Sequence, residues 1–133
     1  MDKLDGAFNA HDVEGAVLLF HPQGAFVTPE GTADGRAEIA SYLEGFFAAF
    51  PDSQRSTWRQ IDVGDCAINE VTLTCTHKGP LLLPNGQEAR ATGRRVHLRT
   101  CEIVTVEDGL VISFQSYFDQ LELLAQLGLY PAV

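Results

Sequence analysis

Halfway along this chain the spacing of apolar residues changes from a helical repeat to an alternating one, and that switch restricts the fold more than any other feature. Ile39, Tyr42, Leu43, Phe46, Phe47 and Phe50 fall on one face of a helix, and Pro51 stops it. Upstream, Leu4, Ala7 and Phe8 predict a short helix. Asp12 reads as the cap of a second, whose stripe is Val13, Ala16, Val17 and Phe20 and whose end is His21-Pro22. Residues 24–28 predict a short strand and residues 29–35 a loop. After Pro51 the period is two. Strands are expected at about 56–64, 67–79, 90–106 and 109–118, with Asp108-Gly109 turning the last pair into a hairpin. A last helix begins near Asp119 and stops at Gly128. Helices followed by a strand meander predict an α+β domain on an antiparallel sheet, one domain over residues 1–133.

Composition narrows the partners. With 45% hydrophobic and 20% charged residues, the chain can bury one real core without a disulfide or metal staple. A net charge of −9 repels phosphate backbones and anionic membrane faces, so neither nucleic acid nor membrane is expected as a partner. Cys66, Cys75 and Cys101 are odd in number and lack C-x-x-C spacing, which suits free thiols in a reducing compartment. No secretory h-region is read at the start, and no apolar run approaches membrane-spanning length. A cytoplasmic protein is therefore expected. There is no G-x-G-x-x-G, P-loop, G-x-S-x-G or H-E-x-x-H segment. His11, His21, His77 and His97 fall on separate elements without ligand spacing. Neither cofactor nor metal is implied.

Alternation assigns faces. Val71, Leu73, Cys75 and His77 share one side of their strand, and Thr72, Thr74, Thr76 and Lys78 the wet one. Val96, Leu98, Glu102, Val104 and Val106 share a side, turning Glu102 inward unless a bulge intervenes. Arg95, His97 and Arg99 then face solvent. On the last strand Gln115, Tyr117 and Asp119 oppose Ile112, Phe114 and Phe118, and pattern alone leaves the inward side open.

Five segments occur in a telling order: Phe8-Asn-Ala-His-Asp12; Gly35-Arg-Ala-Glu-Ile39 with its Phe-Phe-Ala-Ala-Phe-Pro-Asp52 tail; Thr76-His-Lys-Gly-Pro80; Thr92-Gly-Arg-Arg-Val96; and Tyr117-Phe-Asp-Gln-Leu121 running into Gln126-Leu-Gly-Leu129. Together they resemble the SnoaL-like group of the NTF2-like superfamily. The resemblance implies a cone, with a strongly bent sheet and helices closing a central cavity, and a homodimer built through the sheet. It implies polyketide cyclases, which close rings by intramolecular aldol chemistry. The wider superfamily adds ketosteroid isomerases, dehydratases and epoxide hydrolases. The cyclases' acid/base aspartate matches Asp119, the histidine of the Thr-His-x-Gly segment matches His77, and an acidic residue before the last hairpin matches Glu102. The epoxide-hydrolase branch carries an arginine two residues before that acid. Thr100 stands there, and no inward arginine is read on the last two strands.

An apolar cavity raises a carboxyl's pKa, which suits proton transfer from carbon beside a carbonyl. Asp119 can play that part, or it can cap the last helix through Asp119-Gln-Leu-Glu122, which would keep it ionised. Glu102 can sit in the pocket, or a bulge can turn it out. His77 can polarise a carbonyl, or be a satisfied core residue. Tyr117, Trp58, Gln115, Phe46, Phe50 and Leu73 are candidate substrate-binding wall residues, with core or interface roles as the alternative. The expected function is a cofactor-independent acid/base enzyme of polyketide-cyclase or isomerase type, acting on an apolar carbonyl compound. The alternatives are a non-catalytic pocket for a small hydrophobic ligand, or a dimerisation module with a filled cavity.

Overall fold

The computed structural model describes residues 2–83 and 85–129. Helices α1 (Asp2–Asn9) and α2 (Val13–Leu18) lead into strands β1 (Phe20–Thr28) and β2 (Gly31–Asp34), then helix α3 (Gly35–Ala49). Strands β3 (Gln54–Val63), β4 (Cys66–Thr76), β5 (Leu81–Leu82), β6 (Glu88–Ala89), β7 (Arg95–Glu107) and β8 (Leu110–Tyr117) follow, and α4 (Gln120–Gln126) comes last. Six strands form one curved sheet in the order β2-β1-β8-β7-β4-β3, and β5 pairs with β6 alone. Every pairing is antiparallel except that of β1 with β8. Bulges at Trp58 and at Ile112 bend β3 and β8. The helices cover the concave face, as expected of an α+β cone.

The α3 stripe buries Ile39, Leu43 and Phe50, as its spacing predicts. The Asp12 carboxylate caps α2 by accepting from Gly15 N–H at 2.9 Å. The Asp108-Gly109 turn forms with both residues at positive φ, 54° and 78°. The side of β7 that carries Val96, Leu98, Glu102 and Val104 is buried, whereas Arg95, His97 and Arg99 are exposed.

Three boundaries differ from the expectation, each because a tertiary partner overrides a local pattern. Phe20 belongs to β1 and not to α2. It pairs with Val111, and its fully buried ring packs near Phe26 and Phe114. Pro22 therefore lies inside a strand, at the irregular stretch between Phe20 and Ala25 where its missing N–H breaks no regular ladder. Residues 31–34, expected as loop, pair with β1 as an edge strand. Residues 90–94, expected as strand, instead close the base of the β5–β6 hairpin. There Gly93 N–H donates to His77 O at 2.8 Å, and His77 N–H donates to Arg94 O at 2.9 Å.

The core divides into two clusters. One joins Leu4, Phe8, Phe20, Phe26, Ile39 and Phe114 beneath α1 to α3. The other joins Phe50, Cys75, Val96, Leu98, Leu123 and Leu127 beneath the end of α3 and α4. Among the described residues no helix is long and apolar enough to cross a membrane.

Candidate active site

A cavity of about 100 Å³ opens where the two clusters meet. Phe8, Phe26 and Leu43 face it from the first, and Phe50, Leu98 and Leu123 from the second. Several water molecules fit such a volume. Its wall is mostly aromatic and aliphatic, so the polar groups that reach it stand out.

Three of those groups come from one row of the sheet. Glu102 on β7 lies directly across from Ser116 on β8. One residue beyond the Val27–Gln115 pairing, Thr28 on β1 stands beside Ser116. All three line the cavity, and each is buried, with Glu102 only 3% exposed. The alternation of β7 puts Glu102 there because Val104 and Leu98 must face the core.

Glu102 does not stand alone. The Arg55 side chain reaches across from β3, and its Nη2 donates to Glu102 Oε1. Arg55 Nε lies 2.9 Å from the carboxylate of Asp5 on α1. The guanidinium sits 5.1 Å from the Phe8 ring centroid and 6.0 Å from that of Phe114. Asn9 fixes the backbone beneath it: Asn9 Nδ2 donates to Arg55 O at 3.1 Å, and Arg55 N–H donates to Asn9 Oδ1 at 2.8 Å. The amide acts as a short added strand on the sheet's edge. Burial pushes the Glu102 carboxyl above its ordinary pKa, the Arg55 guanidinium opposes that rise, and the Asp5 charge adds to it.

A second polar group marks the rim. Tyr42 hydroxyl donates to Glu30 Oε1 at 3.4 Å, and Glu30 N–H donates to Thr28 Oγ1 at 3.0 Å. Apolar surroundings raise the Glu30 carboxyl, while the Tyr42 hydroxyl lowers it. Burial and the Glu30 charge raise the Tyr42 phenol, so it remains a donor at neutral pH.

Four of the predicted residues meet at the cavity: Glu102, Phe46, Phe50 and Leu73. The other five do not line it. Asp119 is exposed and caps α4, accepting from Leu121 N–H at 3.0 Å and Glu122 N–H at 3.2 Å. The capping alternative therefore holds, and backbone donors keep it turned from the pocket. Tyr117 is 54% exposed and its hydroxyl donates to Gln115 Oε1 at 3.1 Å, because Phe114, Ser116 and Phe118 take the inward side of β8. Trp58 is 60% exposed at the β3 bulge, which puts two residues on the outer face. His77 is fully buried but belongs to the hairpin base, where Thr92 N–H donates to its Nδ1 at 3.1 Å. Burial lowers its pKa, a shift that a backbone bond with Gly79 opposes, so the ring is neutral at pH 7.

Sequence reasoning missed Arg55, Asp5, Asn9, Ser116, Thr28, Tyr42 and Glu30. Ser116 follows by alternation once Phe114 is known to be inward. Arg55 lies one residue before the expected strand, and the bulge hides its phase. The Tyr42 hydroxyl was subsumed in an apolar stripe. The inward arginine that β7 and β8 lack thus arrives from β3.

Two stability measurements check these assignments by urea unfolding at pH 7. Asp119→Ala should cost about 1 kcal/mol through the lost cap while leaving the cavity's ligand affinity unchanged; a loss of affinity would return Asp119 to the site. Arg55→Met should cost about 3–5 kcal/mol by stranding the buried Glu102 carboxylate, and adding Glu102→Gln should recover part of it. An Arg55→Met variant as stable as wild type would contradict the buried network.

Comparison with known proteins places this geometry. The family profile described as SnoaL-like polyketide cyclase matches residues 1–127. No curated protein sequence matches significantly. Among solved structures, AclR from Streptomyces galilaeus, a candidate hydroxylase, is 26% identical over 97% of this chain and 92% of its own, with a TM-score of 0.81. TsrD from Streptomyces laurentii is 25% identical over 96% and 91%, also with a TM-score of 0.81. IdmH from Streptomyces antibioticus, a candidate polyketide cyclase, is 24% identical over 96% and 94%, with a TM-score of 0.78.

Proposed function

The chain belongs to the SnoaL-like polyketide cyclase family, and we propose that it is a cofactor-independent acid/base enzyme of cyclase or isomerase type with Glu102 as its base. The observation that carries this reading is a carboxyl 3% exposed, at the edge of an apolar cavity, beside a buried guanidinium. Glu102 takes a proton from carbon next to a substrate carbonyl. The electron pair moves to the carbonyl oxygen, giving an enolate. Arg55 lines the same cavity and offsets the new charge, with the Thr100 and Ser116 hydroxyls near it. The enolate carbon then attacks a second carbonyl, or is reprotonated elsewhere, and Glu102 returns its proton. The apolar wall selects an apolar carbonyl compound, and ligands much larger than the cavity require the half-buried Phe46, Phe47 and Phe118 rings to move.

A hydrolytic reading has one observation in its favour. Arg55 supplies the arginine beside an acid that epoxide opening by activated water requires. Isotopically labelled water distinguishes the two, because only hydrolysis leaves solvent oxygen in the product.

The assembly we propose is a homodimer through the outer sheet face, where Tyr117, Cys101, Glu70 and the Trp58–Arg59 bulge form one row across four strands. Exposed Trp58 and Tyr117 supply aromatic contact area. Sedimentation should give twice the chain mass, and Trp58→Asp should return it to one; a monomeric wild type rejects the dimer.

The catalytic reading is tested with small aryl ketones in deuterated buffer, following loss of the protons next to the carbonyl by NMR. Wild-type protein should accelerate the exchange, and Glu102→Gln should reduce it at least a hundredfold. The base form is the active one, so the rate should rise with pH through a midpoint above the ordinary glutamate value. Equal rates for wild type and Glu102→Gln across the panel would refute the assignment.

A further inference from the structure

Arg55 explains how Glu102 is held as a carboxylate, but not how it is held once protonated. A guanidinium only donates hydrogen bonds. It therefore serves the ionised form and resists the protonated one. A base that takes a proton from carbon and gives it back occupies both states in each turnover.

The residue directly opposite Glu102 on the other neighbouring strand is Asn69 of β4. Both face the concave side, in step with Val71 and Leu73 on β4 and with Leu98 and Val104 on β7. Directly paired residues place their Cβ atoms about 5 Å apart. Asn69 is fully buried, at 0% exposure. Its Oδ1 and Nδ2 both lack a hydrogen-bond partner among the described residues. A buried amide with neither atom satisfied is costly, and a side chain that only fills space would be better as leucine. On the Glu102 carboxyl, Arg55 occupies Oε1. The second oxygen, Oε2, has no bonded partner among the described residues.

We propose that Asn69 is a positioning residue for Glu102, its amide turning to serve directly the carboxyl oxygen that Arg55 leaves free. Nδ2 donates to that oxygen when Glu102 is ionised. Oδ1 accepts from it when Glu102 carries a proton. An amide is the neutral side chain that offers both, and it switches by a half-turn about its last bond. The arrangement divides the work: the cation favours the charged base, and the amide accommodates either state.

The other groups facing Glu102 are accounted for. Asp5 of α1 and Arg55 of β3 are charged; Ser116 of β8 and Thr28 of β1 are neutral hydroxyls; Glu30 and Tyr42 stand at the rim. None of the neutral groups on this row is an amide besides Asn69. The inference rests on the catalytic reading of Glu102 only for its purpose, not for its physics.

The test needs no substrate. Protein labelled with carbon-13 at glutamate carboxyls is titrated by NMR, and Glu102 is assigned by the signal missing from Glu102→Gln. Charge-assisted hydrogen bonds are about twice as strong as neutral ones, so losing the amide should favour the protonated acid. Asn69→Leu should move the Glu102 midpoint upward by about one pH unit, a tenfold gain in proton affinity. Asn69→Asp keeps the shape and adds a second carboxyl, and should raise or split the Glu102 titration further. It gives the answer if the leucine variant does not fold. A Glu102 midpoint unchanged in the folded variants would overturn the proposal. If the shift occurs but Glu102→Gln leaves ketone exchange unaffected, the positioning role stands and the enzymatic reading falls.

Discussion

A buried guanidinium ties this molecule together. Arg55 starts on an edge strand, packs its guanidinium against the touching rings of Phe8 and Phe114, and ends between carboxylates from α1 and β7. Lysine could not take its place, because a point charge on a flexible stem lacks the planar fork that meets two carboxylates at once. The same contact that docks α1 on the sheet also holds Glu102 in the cavity. Fold and chemistry therefore share one interaction, and neither can be altered alone. The Asn9 amide, which holds both backbone groups of Arg55, shows how much local structure is committed to that placement.

Around this contact the concave face is greasy except along one line. Asn69, Glu102, Ser116 and Thr28 come from four adjacent strands and stand in register. They are four of the six buried polar or charged residues among those described. Such concentration turns a row of the sheet into a polar seam, with hydrocarbon above and below. The low dielectric around it strengthens every dipole aimed at a developing charge. The cavity lies beside the seam because the two hydrophobic clusters, one under the first three helices and one under α4, do not quite fill the space between them.

Much of this could be read from residue order, and what could not has physical causes. The α3 stripe, the Asp12 cap, the Asp108-Gly109 turn and the inward Glu102 all follow from period and local chemistry. The family resemblance pointed to the right architecture. It carried the acid/base role to Asp119, two residues beyond the end of β8, where backbone amides of the next helix claim the carboxylate. Period-two reasoning could not settle which side of β8 faced in, since aromatic residues occur on both. Arg55 was out of reach for another reason. Its partner atoms lie far away in sequence, and the bulge at Trp58 shifts the phase of its strand by one residue. Phe20 and residues 31–34 show the same principle in backbone form, since pairing with distant strands decided their conformation.

The parallel pairing of β1 with β8 carries a consequence for how the protein is made. β8 is the last strand in the chain, yet it lies between β1 and β7 in the middle of the sheet. A ribosome must therefore deliver residues 1–117 before the first strand gains its inner neighbour, since β2 covers only its other edge. Until then β1 and β7 present unpaired edges, and the aromatic residues meant for the interior stay wet. Non-local closure of this kind folds slowly, and until it is complete those edges are open to pairing with other chains.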